Sequence, residues 1–146
     1  MILYLDASAI VKRYVSESGS RDVLALTGSA TVVATAIASR AEVAAALARA
    51  VRLDVLGDAG GRRAQQRFAD EWVDFVRVPA TEALVARAET LAWSHALRGY
   101  DAVHLAAALT WQDVVGQEVV LATYDHQLWT AGAAAGLRPW PDQLRA

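Results

Sequence analysis

Met1-Ile2-Leu3-Tyr4-Leu5-Asp6 is an almost wholly apolar run that closes on a carboxylate, and Ala7-Ser8-Ala9-Ile10-Val11-Lys12 follows at once in a different pattern. An apolar run this short, without polar alternation, reads as a strand buried on both faces, the setting of a parallel sheet covered by helices. In such sheets ligands gather outside the carboxyl ends of the strands. Asp6 therefore stands where a site is expected, and groups that follow other strands are the ones able to join it.

Outward from that strand, residues 9–15 read as a short helix, 16–20 as a polar loop, and Ser20 as the cap of a second short helix over 21–26. Thr31-Val32-Val33-Ala34 is β-branched and brief, a second strand. Thr35 is placed to N-cap a long helix over 36–53, where Ile37, Ala41, Ala44, Leu47, Ala48 and Val51 recur at helical spacing. Gly57-Asp58-Ala59-Gly60-Gly61 breaks the pattern and residues 62–74 resume it. Phe75-Val76-Arg77-Val78 is a third strand closed by Pro79. Residues 81–97 and 102–112 are helical, 118–122 a fourth strand, 125–135 a last helix and 137–140 a short fifth strand. Strands alternating with helices imply an α/β fold with a parallel sheet flanked on both faces, because parallel neighbours need a long crossover. Trp72, Trp93, Trp111, Trp129 and Trp140 fall mostly on helical stripes and are expected to pack in the core or an interface.

At 146 residues the chain has the length of one domain, enough to bury roughly 68–70% of its unfolded surface. It has no cysteine, so disulfides, thiolate metal sites and cysteine nucleophiles are excluded, and any metal must be held by oxygen or histidine. No stretch approaches the roughly 18 apolar residues of a membrane span, and the start has no basic, then apolar, leader pattern. The expectation is a soluble, cytoplasmic protein. The net charge of −2 does not advertise a nucleic-acid binder. Lys12 is the only lysine; Arg49, Arg52, Arg62, Arg63 and Arg67 lie close in sequence, either as a local basic patch or as solvated helix faces.

Four acids stand out by position. Asp6 ends the first strand, and Asp125 follows the fourth by three residues. Glu42 sits in the helix after the second strand among alanines too short to cover it, and Asp101 opens a helix that is otherwise apolar. Each has a plainer reading: Asp101 and Asp125 as N-caps, Glu42 as a solvated glutamate, Asp6 as a turn former. Taken together the plainer readings weaken, because Asp6, Glu42 and Asp125 all follow strands and parallel strands share one carboxyl edge. Spacing leaves open which edge Asp101 starts from. Two carboxylates about 5 Å apart repel by roughly 3 kcal/mol at an effective dielectric near 20, so a converged set either protonates in part or binds a cation. Hard oxygens suit Mg²⁺ or Mn²⁺, ions that complete their shells with water and phosphate. Such a metal activates water and offsets transition-state charge in phosphoryl chemistry. Ser8 and Thr123 are accessory polar candidates, each equally readable as a cap. His95, His104 and His126 show no paired ligand spacing, and His104 reads as a hydrogen-bonded helix residue.

Leu5-Asp6-Ala7-Ser8-Ala9-Ile10-Val11-Lys12, Ser39-Arg40-Ala41-Glu42-Val43-Ala44-Ala45-Ala46-Leu47, Gly99-Tyr100-Asp101-Ala102-Val103-His104-Leu105-Ala106-Ala107-Ala108 and Thr123-Tyr124-Asp125-His126-Gln127-Leu128 resemble the successive blocks of PIN-domain proteins, in particular the VapC-like toxins of type II toxin–antitoxin systems. The likeness runs from Met1 to about Leu137. It implies one PIN domain over 1–146, a three-layer α/β/α sandwich with a central parallel sheet. It implies a Mg²⁺- or Mn²⁺-dependent endoribonuclease in which Asp6, Glu42, Asp101 and Asp125 occupy the acidic positions, Asp6 and Asp101 foremost as metal ligands, with Ser8 at the accessory position. It also implies that Asp101 shares the edge of the others, that the substrate is RNA, that a VapB-like antitoxin neutralises the protein, and that two copies form a homodimer. The scarcity of lysine departs from the pattern and leaves the RNA surface to arginine.

Other acidic α/β sites fit less well. A haloacid dehalogenase-type phosphatase wants Asp-x-Asp at the first strand, where Ala7-Ser8 follows Asp6. A response-regulator receiver wants a lysine near the last strand, and the only lysine is Lys12. A PIN-like module that binds RNA or protein without cutting stays open as the alternative.

Overall fold

The structure, a computed structural model, describes residues 1–144; the last two residues of the expected domain lie outside the described residues. The elements are β1 (Ile2–Leu5), α1 (Ala7–Val11), α2 (Ser20–Ser29), β2 (Val32–Ala36), α3 (Ser39–Arg52), α4 (Asp58–Glu71) with a 3-10 turn (Trp72–Asp74), β3 (Val76–Val78), α5 (Glu82–His95), α6 (Gly99–Val115), β4 (Val119–Ala122), α7 (His126–Ala134) and β5 (Arg138–Trp140). The five strands form one sheet in the order β3-β2-β1-β4-β5, every pair parallel. β1 is central, as its uninterrupted apolar run requires. The period of two sends its side chains to opposite faces: Leu3 and Leu5 join Ile10, Val43, Leu47, Phe68 and Trp72, while Tyr4 joins Leu84, Leu105, Leu121 and Leu128. Helices α1, α3 and α4 thus cover one face and α5, α6 and α7 the other, giving the three-layer sandwich. Among the described residues no helix is long and apolar enough to cross a membrane.

Several expected boundaries move. The first helix begins at Ala7, because the Asp6 side chain accepts from the Ala9 amide and caps it, so Ser8 is inside the helix and not its cap. Thr35 is not a cap: it belongs to β2, where its buried hydroxyl donates to the Leu5 carbonyl at 2.7 Å and shares a 2.7 Å hydrogen bond with Ser39. That stitch ties the start of α3 to the last residue of β1. The glycines at 60 and 61 do not break a helix but lie within α4, since a Cβ at Gly61 would run into Val51 of α3 and only glycine permits that approach. Asp101 lies inside the first turn of α6, whose N-cap is Arg98. Trp72 is buried, in edge contact with Phe68 at 5.5 Å, but Trp93 is 91% exposed.

Candidate active site at the carboxyl edge

The chain turns from β1 to β2 on one side and places β4 on the other, so the strand order reverses between β1 and β4. This is the position where parallel sheets open a crevice. The pairing runs from Ile2 against Val119 to Leu5 against Ala122, and it brings Asp6 and Thr123 off the sheet side by side. Asp6 is only 4% exposed. Its Oδ1 accepts from the Ser8 hydroxyl at 2.7 Å and the Ala9 amide at 2.9 Å, and its Oδ2 from the Thr123 hydroxyl at 2.7 Å. A carboxylate has about four acceptor positions, so one remains, on Oδ2. Burial pushes the Asp6 carboxyl above its ordinary range, against the opposing pull of His104 and of the three hydrogen bonds.

The two accessory hydroxyls are therefore both used. Ser8 also accepts from the Tyr124 amide at 2.9 Å, and Thr123 from the Asp125 amide at 3.1 Å. The loop after β4 is thereby fastened to the start of α1. Asp125 is an N-cap as well as a site acid: Oδ1 accepts from the Leu128 amide at 2.9 Å and opens α7, while Oδ2 meets Arg98.

Glu42, in the first turn of α3, is held by His104 across the sheet edge, with Nε2 and Oε1 2.8 Å apart. An ionised carboxylate only accepts, so Nε2–H is the donor. The other ring nitrogen lies 2.9 Å from the Tyr4 hydroxyl. Burial pulls the pKa of His104 down, but the Glu42 hydrogen bond and the charges of Asp6, Glu42 and Asp101 outweigh it, and the net shift is upward. Tyr4, desolvated and near Asp6 and Glu42, has its phenol pushed well above its usual value and stays protonated.

Asp101 and Asp125 are linked by Arg98, whose Nε and Nη2 each make a 2.8 Å contact, the first with Oδ2 of Asp101 and the second with Oδ2 of Asp125. The structure therefore pairs Glu42 with His104, bridges Asp101 and Asp125 through Arg98, and ties Asp6 to the Asp125 loop through the Thr123 hydroxyl. Among the described residues, no group of three or more His, Asp or Glu side chains stands close enough to hold a metal ion as the side chains are turned. The reason is local: Glu42 faces His104, and Asp101 and Asp125 face a guanidinium. Three site residues escape sequence reasoning. Tyr4 is the one polar tip in an aliphatic strand and lies on a different face from its neighbours, and Arg98 precedes Asp101 by three residues, a helical pairing distance. His104 carried no comparable signal, because its partners come from β1 and α3. The arginines at 49, 52, 62, 63 and 67 are exposed on α3 and α4. Arg52 lies ten residues beyond Glu42 on α3, about 15 Å along the axis, at the far end of that helix from the acid.

An α/β/α sandwich with acids at the starts of α1, α3, α6 and α7 is the architecture of PIN domains. The chain belongs to this family, whose model matches residues 3–129, a stretch holding every acid and hydroxyl of the site. Over 143 residues, 98% of this chain and 97% of the other, it is 38% identical to Ribonuclease VapC45 of Mycobacterium tuberculosis strain CDC 1551 / Oshkosh. It matches Ribonuclease VapC49 of Mycobacterium tuberculosis strain H37Rv to the same extent. Among solved structures the fold is similar to FitAcB from Neisseria gonorrhoeae, with a TM-score of 0.65 and 17% identity over 94% of this chain and 96% of that one. It is also similar to VapBC2 from Rickettsia felis bound to a DNA fragment from its promoter, with a TM-score of 0.63 and 11% identity over 96% and 99%.

Membership of the family implies a divalent metal, and the donor set fits one. The acids offer only hard oxygens, Asp6 keeps an acceptor position on Oδ2, and a guanidinium already stands as the cation between Asp101 and Asp125.

Proposed function

We propose that the chain is a Mg²⁺- or Mn²⁺-dependent endoribonuclease, the toxin of a VapBC-like type II toxin–antitoxin pair. The observation that carries this reading is a buried Asp6 carboxylate held at the carboxyl edge by Ser8, Ala9 and Thr123, with Asp125 on the loop that Thr123 fastens, in a chain 38% identical along nearly its whole length to proteins named ribonucleases. Asp6 and Asp101 would hold the ion, with Glu42 and Asp125 completing the charge. When bound, a divalent ion supplies an activated water and a counter-charge for the phosphodiester in its transition state. Ser8, Thr123 and the Ala9 amide keep the Asp6 carboxylate fixed in a site that excludes bulk water, and His104 holds Glu42 in one orientation with a proton on Nε2. Fixed donors of this kind lower the reorganisation that hydrolysis would otherwise require.

The same reading makes RNA the substrate, a VapB-like antitoxin the neutralising partner, a homodimer the working assembly, the cytoplasm the location, and residues 1–146 one PIN domain. The test is Asp6→Asn, which keeps the size and part of the capping role of the side chain. The variant is expected to fold, to lose RNA cleavage in Mg²⁺ or Mn²⁺, and to lose any metal-induced rise of the melting temperature that the parent shows. Undiminished cleavage, with contaminating nuclease excluded, would sink the assignment. A fold that binds RNA with or without metal and never cuts it would instead be the non-catalytic module.

A further inference from the structure

Arg98 is the one arginine whose guanidinium spans two of the site acids among the described residues. The two carboxylates come from different elements, Asp101 from the first turn of α6 and Asp125 from the cap of α7. Their side chains are largely covered, 14% and 24% exposed, whereas that of Arg98 is 71% exposed. The acids are thus built into the fold and the arginine head is not. Its residue is the N-cap of α6 but makes no side-chain capping bond, so these two contacts alone hold the head in place. Exposed ion pairs are individually weak. A guanidinium keeps its charge when it leaves one partner, and its planar fork fits a phosphate as well as a carboxylate pair.

Resting on the nuclease reading above, we infer that Arg98 is a positioning residue with two alternative partners. It bridges Asp101 and Asp125 in this structure, and it would turn to a backbone phosphate of bound RNA when those two acids are engaged in holding a divalent ion. The exchange makes metal and RNA binding mutually reinforcing, since each occupies what the other releases.

Calorimetric titration of Mn²⁺ into the parent protein, Arg98→Gln and Arg98→Lys tests the first half without reference to activity. Removing the internal cation is expected to tighten Mn²⁺ binding roughly five- to tenfold in Arg98→Gln. Arg98→Lys, which keeps the charge but cannot bridge both acids, should fall between the two. At saturating Mn²⁺, Arg98→Gln should then raise KM for a fluorescein-labelled RNA stem–loop several-fold while kcat moves less, a split that a merely structural residue does not give. Equal Mn²⁺ affinity in the parent and Arg98→Gln would overturn the exchange, and an unchanged KM would overturn the phosphate contact. Absence of Mn²⁺ binding in all three proteins would overturn the metal-site reading itself, a result distinct from either.

Discussion

Thr123 shows how much of the site depends on single hydroxyls. Fully buried, it donates to Asp6 at 2.7 Å and accepts from the Asp125 amide at 3.1 Å, so one atom fixes two acids on neighbouring loops. Thr123→Val keeps the shape and removes both bonds, stranding a buried carboxylate oxygen and a backbone N–H. The expected loss is about 1–3 kcal/mol in urea unfolding with chelator present, together with weaker metal-induced stabilisation. Thr123→Ser should recover most of both. Asp6 was legible from sequence because a carboxylate ending a doubly buried strand has few other uses, and Asp125 because it follows a strand at a capping position. The His104 linkage was not legible: its partners Tyr4 and Glu42 lie 100 and 62 residues away in the chain, and only the assembled sheet edge makes an inward histidine between them a site residue. Three of the four acids already face a local partner, Glu42 the His104 ring and Asp101 and Asp125 the Arg98 guanidinium.

Between elements, the join of α1 to α4 is a polar clasp over an aromatic cluster. Glu71 of α4 accepts from the Tyr14 hydroxyl at 2.7 Å and pairs with Arg13 at 3.1 Å and Arg67 at 2.8 Å, above the edge contact of Tyr14 with Phe68 at 5.4 Å. Partial burial pulls the Glu71 pKa up, but the hydrogen bonds from Tyr14 and Arg67 and the charges of both arginines outweigh it, and the folded value lies below the ordinary 4.5. A carboxyl depressed on folding stabilises the native state above its unfolded pKa, and that contribution disappears as the pH falls through the folded value. Glu71→Gln should therefore melt lower than the parent at pH 7, by about 1–2 kcal/mol. The gap should close as the pH drops below about 4.5, which thermal melts from pH 7 to pH 3 would follow. Elements such as this were legible in outline: all five strands and the helical layers follow from apolar runs and helical spacing. Their ends were not. Thr35 has the chemistry of a cap, yet the carbonyl it satisfies belongs to β1, and Gly60-Gly61 has the composition of a break, yet α3 demands a missing Cβ there. Both facts are tertiary, and no local window contains them.

At the scale of the whole molecule the unexplained feature is an apolar face on α5 and the start of α6. Trp93, Tyr100 and Val85 are 91%, 64% and 46% exposed, and Ala92 and Glu89 line both of the shallow cavities between them. An indole left in water forgoes stabilisation of a few kcal/mol that burial would bring, and a contiguous exposed patch of this kind marks an interface. The protein exposes 7976 Å², so a standard interface of about 800 Å² per partner would take near a tenth of its surface. The homodimer proposed above is expected to form through this face. Trp93→Glu, at a position with almost no contacts of its own to lose, should leave circular dichroism unchanged, sediment as a monomer where the parent sediments as a dimer, and remove the dependence of melting temperature on protein concentration. A Trp93→Glu protein that sediments with the parent would place the interface elsewhere and leave this face for a different partner.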